Sequence, residues 1–520
     1  MSDSLGNSSR AARIRHIGFW TGPLAFFLVL FLVELNPASH ADERMAAVAV
    51  LMAIWWITDA IPMAATSLIP LVLFPVLGVM PGKDVAPVYM NHVIFLFLGG
   101  FLIALAMERW NLHRRIALTI IRALGSDPPR LVLGFMLATA FLSMWISNTA
   151  TAIMMLAIGL AVIRQTEATF GKEKTAALSV SLLLGIAYSA SIGGVATLVG
   201  TPPNLALVRL FELSFPDAAA AGYGISFGQW MLFAVPLSLA LLAAAWFLLT
   251  QVCFRAPREL ALDPDMIAEE HRRLGPMGFE EKAVLAVFIA TAVLWIFRED
   301  LNLGSWQITG WASWLPFGNY LDDGTIAVAM ALILFMIPAR RHEGEVPEHH
   351  TLLDATVLAK IPWHIILLFG GGFALAKGFQ TSGLSDWVGA QFTGLENAPL
   401  PVLVAAICTV LTFLTEFTSN TATTEMILPL LASVATATGI HPLLLMVPAA
   451  LSASCAFMLP VATPPNAIVF ASGHISIGQM VKAGIILNLV GIALITVIFL
   501  LLGPSVFAID PTAPLPVWAK

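Results

Sequence analysis

The sequence predicts an all-α polytopic membrane protein made of two inverted repeats, each with a re-entrant hairpin and a broken helix. Three observations predict it. The 520 residues are 58% hydrophobic and 11% charged, with a mean hydropathy of +0.86, too apolar and too charge-poor for a soluble globular protein. Small polar residues sit at the centre of two long apolar runs, Ser147, Asn148, Thr149 in one and Ser419, Asn420, Thr421 in the other. Polar groups at such positions are costly without partners and therefore mark a site. Each run is followed by a second repeated motif, Thr201, Pro202, Pro203, Asn204 and then Thr463, Pro464, Pro465, Asn466.

The N-terminal segment 1–16 is polar and carries Arg10, Arg13 and Arg15. It resembles the start of a signal peptide. The apolar run that follows ends at Asn36, Pro37, Ala38 without a cleavage signature, so a retained first helix with a cytoplasmic N-terminus is expected. Spans need about 20 apolar residues. On that criterion helices fall near 17–35, 44–59, 61–80 and 92–110, followed by an amphipathic stretch from Leu112 to Ile121 with Arg114, Arg115 and Arg122. Next come 131–163, 176–212 broken at Thr201 to Asn204, and 228–254. A charged loop at 255–282 separates these from 282–297, 324–338, 363–380, 399–436, 445–472 with the second Pro-Pro break, and 478–502. The expected total is about 11 transmembrane helices plus two hairpins. Cys253, Cys408 and Cys455 lie in apolar stretches without paired spacing, which indicates neither disulfides nor a metal site.

Charge placement decides what periodicity cannot. Segment 131–163 is flanked by Arg122 and Arg130 on one side and by Arg164, Lys172 and Lys174 on the other. A hairpin that enters and leaves from the cytoplasm satisfies the positive-inside rule on both flanks. Each arm of about 16 residues would reach roughly 24 Å into a core of about 30 Å, and its tip would be Ser147, Asn148, Thr149. Loop 213–227, with Glu212 and Asp217, then falls outside, and 255–282, with Arg255, Arg258, Arg272 and Arg273, falls inside. In the second half 298–323 falls outside, 339–362 with Arg340, Arg341 and Lys360 inside, and 381–398 with Asp386 and Glu396 outside. The hairpin 399–436 enters from outside, and the C-terminal segment 503–520 is periplasmic.

The inversion has independent support. Asn148 and Asn420 are 272 residues apart, and the same offset pairs His92 with His364, Gly99 with Gly371, Gly100 with Gly372 and Leu112 with Leu384. Asn204 and Asn466 are 262 apart, and Ser226 to Gln229 answers Ser476 to Gln479 at 250. Inverted repeats with broken helices meeting near the midplane are the architecture of a secondary transporter.

The chemistry of the motifs fits. Hydroxyls and amides at the tips both donate and accept. Each Pro-Pro removes two backbone donors, leaving free carbonyls before it and a fresh helix N-terminus after it. Carbonyl and amide oxygens suit a hard cation such as sodium, and helix N-termini suit a carboxylate. Segments 131–163, 176–206, 399–436 and 445–475 contain no Lys or Arg. An anion there would be held by neutral donors, helix dipoles and bound cations, which couples the two. An intramembrane enzyme is disfavoured, since no His lies within either hairpin. Lys377 is expected to snorkel to the outer interface, and Glu416 and Glu425 flank the second tip where the first half has Met144 and Ile153.

Together Leu98 to Phe101, Glu108 to Leu112, both Ser-Asn-Thr and both Thr-Pro-Pro-Asn motifs, and Ala467 to Phe470 resemble the divalent anion/sodium symporters. The resemblance implies a homodimer in the inner membrane, with scaffold helices at 17–130 and 283–398. A transport domain at 131–254 and 399–502 would move as an elevator. It also implies one sodium site at Ser147, Asn148, Gly200 and Asn204, and a second at Thr418, Ser419, Asn420, Ala462 and Asn466. Asn148, Thr149, Thr201, Pro202, Ser419, Asn420, Thr421, Thr463 and Pro464 would hold a small dianion. The expected partners are that dianion, sodium and the lipid bilayer, with no nucleic acid. The expected function is sodium-coupled import of a C4-dicarboxylate such as succinate. Anion exchange, or citrate or sulfate symport on the same fold, is the alternative.

Overall fold

The computed structural model describes residues 2–35, 40–257, 260, 264–303, 306–340, 351–392, 394 and 398–519. Its first half consists of α1 (Ser2–Leu32), α2 (Ala41–Thr58), α3 (Met63–Thr66), α4 (Ile69–Leu77), α5 (Gly82–Val85), α6 (His92–Arg109), α7 (Leu112–Leu124), α8 (Pro128–Ser143), α9 (Asn148–Phe170), α10 (Lys172–Val195), α11 (Pro202–Ser214) and α12 (Phe227–Phe247). Within the charged stretch lies α13 (Pro264–Arg273), followed by α14 (Phe279–Ile296), a hairpin of β1 (Leu301–Leu303) and β2 (Trp306–Ile308), then α15 (Asp323–Met336), α16 (Trp363–Ser382) and α17 (Leu384–Ala390). The chain continues through α18 (Leu400–Thr415), α19 (Asn420–Thr438), α20 (Leu443–Ala453), α21 (Pro464–Phe470) and α22 (Ile477–Val506).

The expected segments are all found as helices, and the stretches expected as loops at 255–282 and 381–398 hold the further helices α13 and α17. α1 begins at Ser2 and not near residue 17; Arg10, Ala11, Ala12 and Arg13 are strong helix formers, and the weaker formers before them include no proline to stop the helix. The segment at 61–80 is two short helices, since Pro62 and Pro70 each start a new one. The antiparallel pair β1–β2 adds a small strand element to an otherwise helical chain. Among the described residues seven helices are long and apolar enough to cross a membrane, and five more apolar helical stretches are shorter. Length alone therefore does not reproduce the expected total, because α2 and α14 carry acidic residues in their first turns. Asn36, Pro37, Ala38, Arg258, Arg341 and Glu396 lie outside the described residues, as does the side chain of Arg10.

Both Ser-Asn-Thr segments fold back on themselves. A Cβ built on Gly159 of α9 would lie 3.7 Å from Phe135 of α8 and 3.0 Å from Ile186 of α10, so the two arms run side by side against α10. In the second half Leu403 of α18 joins Val434 and Ala435 of α19 and Leu445 of α20 in one small core cluster. Each hairpin thus packs around a buried helix, and every residue of α20 is buried. Gly193 of α10 takes the close approach, since a Cβ there would overlap the Ala140 backbone of α8.

Charged contacts gather at the helix ends. Arg115 of α7 pairs with Glu281 at 3.0 Å and donates to the Gly275 carbonyl at 2.9 Å, tying the amphipathic helix to the start of α14. Arg109 at the end of α6 pairs with Asp354 in the loop before α16. Burial works to raise the Asp354 carboxyl, but hydrogen bonds from Thr356 and Arg109 outweigh it and hold the group at about 2.

Candidate functional site

Each tip is a break between two helices. Four residues, 144–147, interrupt α8 and α9, and four, 416–419, interrupt α18 and α19. Ser147 caps α9, its Oγ accepting the Ala150 N–H at 3.2 Å. Ser419 occupies the same position before α19.

Behind each cap a hydroxyl at the end of the first arm lies within hydrogen-bond distance of the tip asparagine and of a carbonyl on the buried helix. In the first half Ser143 Oγ lies 2.6 Å from the Ala190 carbonyl and 2.5 Å from the Asn148 amide. The amide orientation that satisfies the network points Asn148 Nδ2 at Ser143 Oγ, the Ala190 carbonyl at 3.0 Å and the Gly200 carbonyl at 3.3 Å. In the second half Thr415 Oγ1 lies 2.7 Å from Asn420 Oδ1 and 3.0 Å from the Ala453 carbonyl. Ser143 and Thr415 stand 272 residues apart, the offset of the two asparagines. A hydroxyl at the end of each first arm therefore ties its tip to the buried helix beside it.

The Pro-Pro breaks are built alike. Pro202 and Pro203 open α11, and Pro464 and Pro465 open α21, at positions where a missing N–H costs nothing. Asn204 Nδ2 donates to the carbonyls of Gly194 at 3.3 Å, Val195 at 3.1 Å and Thr197 at 2.7 Å. Asn466 Nδ2 donates to those of Ala456 at 3.1 Å and Leu459 at 3.0 Å. Each asparagine splints the loop in front of it. Both are fully buried, and the Oδ1 of each has no hydrogen-bond partner among the described residues.

The link between tip and loop uses different atoms in the two halves. Thr197 Oγ1 donates to the backbone carbonyl of Met144. At the matching positions the Glu416 carboxylate accepts the N–H groups of Phe457 at 2.7 Å, Met458 at 2.8 Å and Leu459 at 3.0 Å. Glu416 also accepts from Asn488 Nδ2 of α22 at 2.7 Å. The sequence flagged Glu416 without showing what it holds. Ser143, Thr197 and Asn488 were not flagged, although the offset that matches Ser143 with Thr415 was a usable signal.

The four pieces meet around one cavity of about 790 Å³. Ser147, Asn148, Thr149, Gly200, Thr201 and Pro202 line one wall, and Thr418, Ser419, Asn420, Thr421, Ala462, Thr463 and Pro464 line another. Asn204 and Asn466, expected among the sodium ligands, do not line it and lie behind the loops. The remaining wall comes from Trp56 to Asp59, Pro62 to Ala64, Phe97, Gly100, Phe101, Ile365 and Leu368. Trp145 also lines the cavity, and stacks on Phe227 with ring centroids 6.2 Å apart. Arg15 and His364 also line the cavity, and Arg15 is ion-paired to Asp59. Arg15 lies on the N-terminal helix, far from the motif segments that lack Lys and Arg, and no local pattern placed it here. Among the described residues no group of three or more His, Cys, Asp or Glu side chains forms a metal cluster, and the tips and loops offer the cavity hydroxyl, amide and carbonyl oxygens.

A family model described as the sodium:sulfate symporter transmembrane region matches residues 19–509. The sodium-dependent dicarboxylate transporter SdcS of Staphylococcus saprophyticus is 45% identical over 505 residues, 96% of this chain and 93% of that protein. The SdcS of Staphylococcus aureus strain USA300 is 44% identical with the same coverage. Among solved structures, MtrF of Neisseria gonorrhoeae, from a class of antimetabolite efflux pumps, has a TM-score of 0.55 at 13% identity, covering 94% of this chain and 99% of that one. The YdaH transporter of Alcanivorax borkumensis gives 0.53 at 12% identity, covering 88% and 99%. At those identities the likeness is one of fold. The match over nearly the whole chain and the relatives above 40% identity show that this protein belongs to the sodium:sulfate symporter family, the divalent anion/sodium symporters that its repeated motifs resemble.

Proposed function

We propose that the protein imports small dianions, C4-dicarboxylates such as succinate, together with two or more sodium ions. The observation that carries this reading is the pair of matched hairpin tips and loops around one cavity. Family membership supports it, as do relatives named as sodium-dependent dicarboxylate transporters. One sodium rests on Ser147, Asn148 and the Gly200 loop, with Asn204 behind. The other rests on Thr418, Ser419, Asn420 and Ala462, with Asn466 behind. The dianion lies between them against Asn148, Thr149, Thr201, Pro202, Ser419, Asn420, Thr421, Thr463 and Pro464. The helices α9, α11 and α19 begin at this wall, so their positive ends face it. Segments 131–163, 176–206, 399–436 and 445–475, which carry the tips and loops, contain no Lys or Arg, and the bound cations therefore supply the charge that holds the anion.

The same reading makes the halves inverted repeats, and the hairpins with α10 to α12 and α20 to α22 a body that slides as an elevator against a dimeric scaffold. With the N-terminus cytoplasmic in an inner membrane and the C-terminus outside, Arg15 and His364, which line the cavity, lie toward the cytoplasmic side. This state would then release its cargo inward.

Uptake of labelled succinate into proteoliposomes tests the proposal. Accumulation should require an inward sodium gradient and should fail with lithium or potassium. Uptake that ignores sodium but needs a preloaded dicarboxylate would establish exchange instead. Displacement of succinate by sulfate or citrate at lower concentration would change the substrate and leave the coupling intact.

A further inference from the structure

Glu425 lies on α19, six residues past Ser419, and is 0% exposed. Neither of its carboxylate oxygens has a hydrogen-bond partner among the described residues. It packs against the glycine face of α16, where a Cβ on Gly372 would overlap the carboxylate. The matching position in the first half is Ile153, which is 55% exposed, so the acid is not part of the repeated machinery.

An ionised carboxylate in such a place, without a partner, is too costly to persist, and the group must be neutralised. The charged and titratable groups on the elements packed against α19 do not do it. Arg209 and Glu212 of α11 pair with each other at 3.1 Å, and Glu416 at the end of α18 is held by its loop. His364 and Lys377 of α16, Asp386 of α17, Asp42, Glu43 and Arg44 of α2, and His441 before α20 make no hydrogen bond with either carboxylate oxygen of Glu425. A sodium ion would need several further oxygen ligands gathered around the carboxylate, and no donor is hydrogen-bonded to either of its oxygens. A single proton needs none.

We propose that Glu425 is a proton-binding site, loaded while α19 lies against Gly372 of α16. The carboxylate takes one proton from water to become the neutral acid and returns it to water when the contact opens. The link to transport rests on the sliding motion proposed above, whereas the proton itself does not. If the hairpin slides past α16, every cycle breaks this contact, so one proton is bound and released per cycle. The carrier would thereby sense pH one helical turn along α19 from Thr421 of its cargo site.

Two measurements on the full-length protein test this. Infrared difference spectra of wild type against E425Q, taken at neutral pH without sodium or dicarboxylate, should contain the carbonyl stretch of one protonated carboxylic acid. In proteoliposomes wild-type uptake should fall with rising pH, by up to about tenfold per pH unit once the group titrates, and E425Q should retain uptake with that dependence removed. A spectrum showing only a carboxylate at this position overturns the proposal, and so does an acid band that sodium abolishes, which would make the occupant a cation. An E425Q protein that does not fold also counts against it, since Gln is the uncharged isostere of the acid. The infrared band is read without substrate, so it stands or falls separately from succinate transport.

Discussion

At the residue scale, the two halves solve one problem with different atoms. A tip that breaks a helix must bond to the loop facing it, because exposed backbone at membrane depth is tolerated only where it is satisfied or lines a cavity. The first half does this with the Thr197 hydroxyl on the Met144 carbonyl, and the second with the Glu416 carboxylate on three backbone N–H groups. Bonds to a charged acceptor are the stronger kind, about 1.5–3 kcal/mol each. E416Q removes the charge and turns an amide N–H₂ toward N–H donors. It should lower succinate uptake at least about tenfold and raise the sodium concentration for half-maximal uptake, while N488A does the same more weakly. Unchanged sodium dependence in E416Q would remove the loop at 457–459 from the second cation site. N148A and N420A each take away a tip amide facing the cavity. Both should abolish uptake while the protein still elutes as a folded, monodisperse species from size-exclusion chromatography, and near-normal uptake in either would take that tip out of the site.

At the scale of elements, small residues set how closely helices and loops approach. Gly484 of α22 lies one turn before Asn488, and a Cβ there would overlap the Phe457 carbonyl and come 2.5 Å from Met458 Cα. Gly478, six residues earlier in the same helix, has nothing within 4 Å. G484A should therefore destabilise the protein by about 1–3 kcal/mol and impair sodium-dependent uptake by displacing the loop that Glu416 holds. G478A should leave both unchanged. Equal thermal unfolding midpoints for the two variants, read by tryptophan fluorescence in detergent, would contradict this packing. The contrast also shows what sequence reading can and cannot reach. The helix breaks at the two Ser-Asn-Thr motifs and the Pro-Pro starts of α11 and α21 were legible, because polar residues within apolar runs and proline chemistry are local signals. The extension of α1 to Ser2 and the split of 61–80 were missed, because weak local preferences decide them. The bond from Asn488 to Glu416 and the arrival of Arg15 at the cavity join residues far apart in sequence, and nothing near either residue announces its partner.

For the whole molecule, the proposed elevator makes one mechanical demand. The body that carries the hairpins must change its contacts with α16, which touches α11 and α19. One such contact can be held covalently without disturbing the cavity. Gln380 near the end of α16 donates to the Ser214 carbonyl at the end of α11 at 2.9 Å, and neither residue lines the cavity. A Q380C/S214C protein in a C253S background leaves Cys408 and Cys455 buried, so a short thiol-reactive cross-linker should join the two introduced cysteines. A rigid-body displacement of α11 along α16 would be stopped by that bridge. Uptake should then fall to the background of empty liposomes and return on reductive cleavage, while each single cysteine variant transports normally after the same treatment. Sodium-dependent uptake that continues across a complete cross-link would show that the cargo crosses without α11 moving against α16. The cavity would then have to be reached by smaller movements of the two tips.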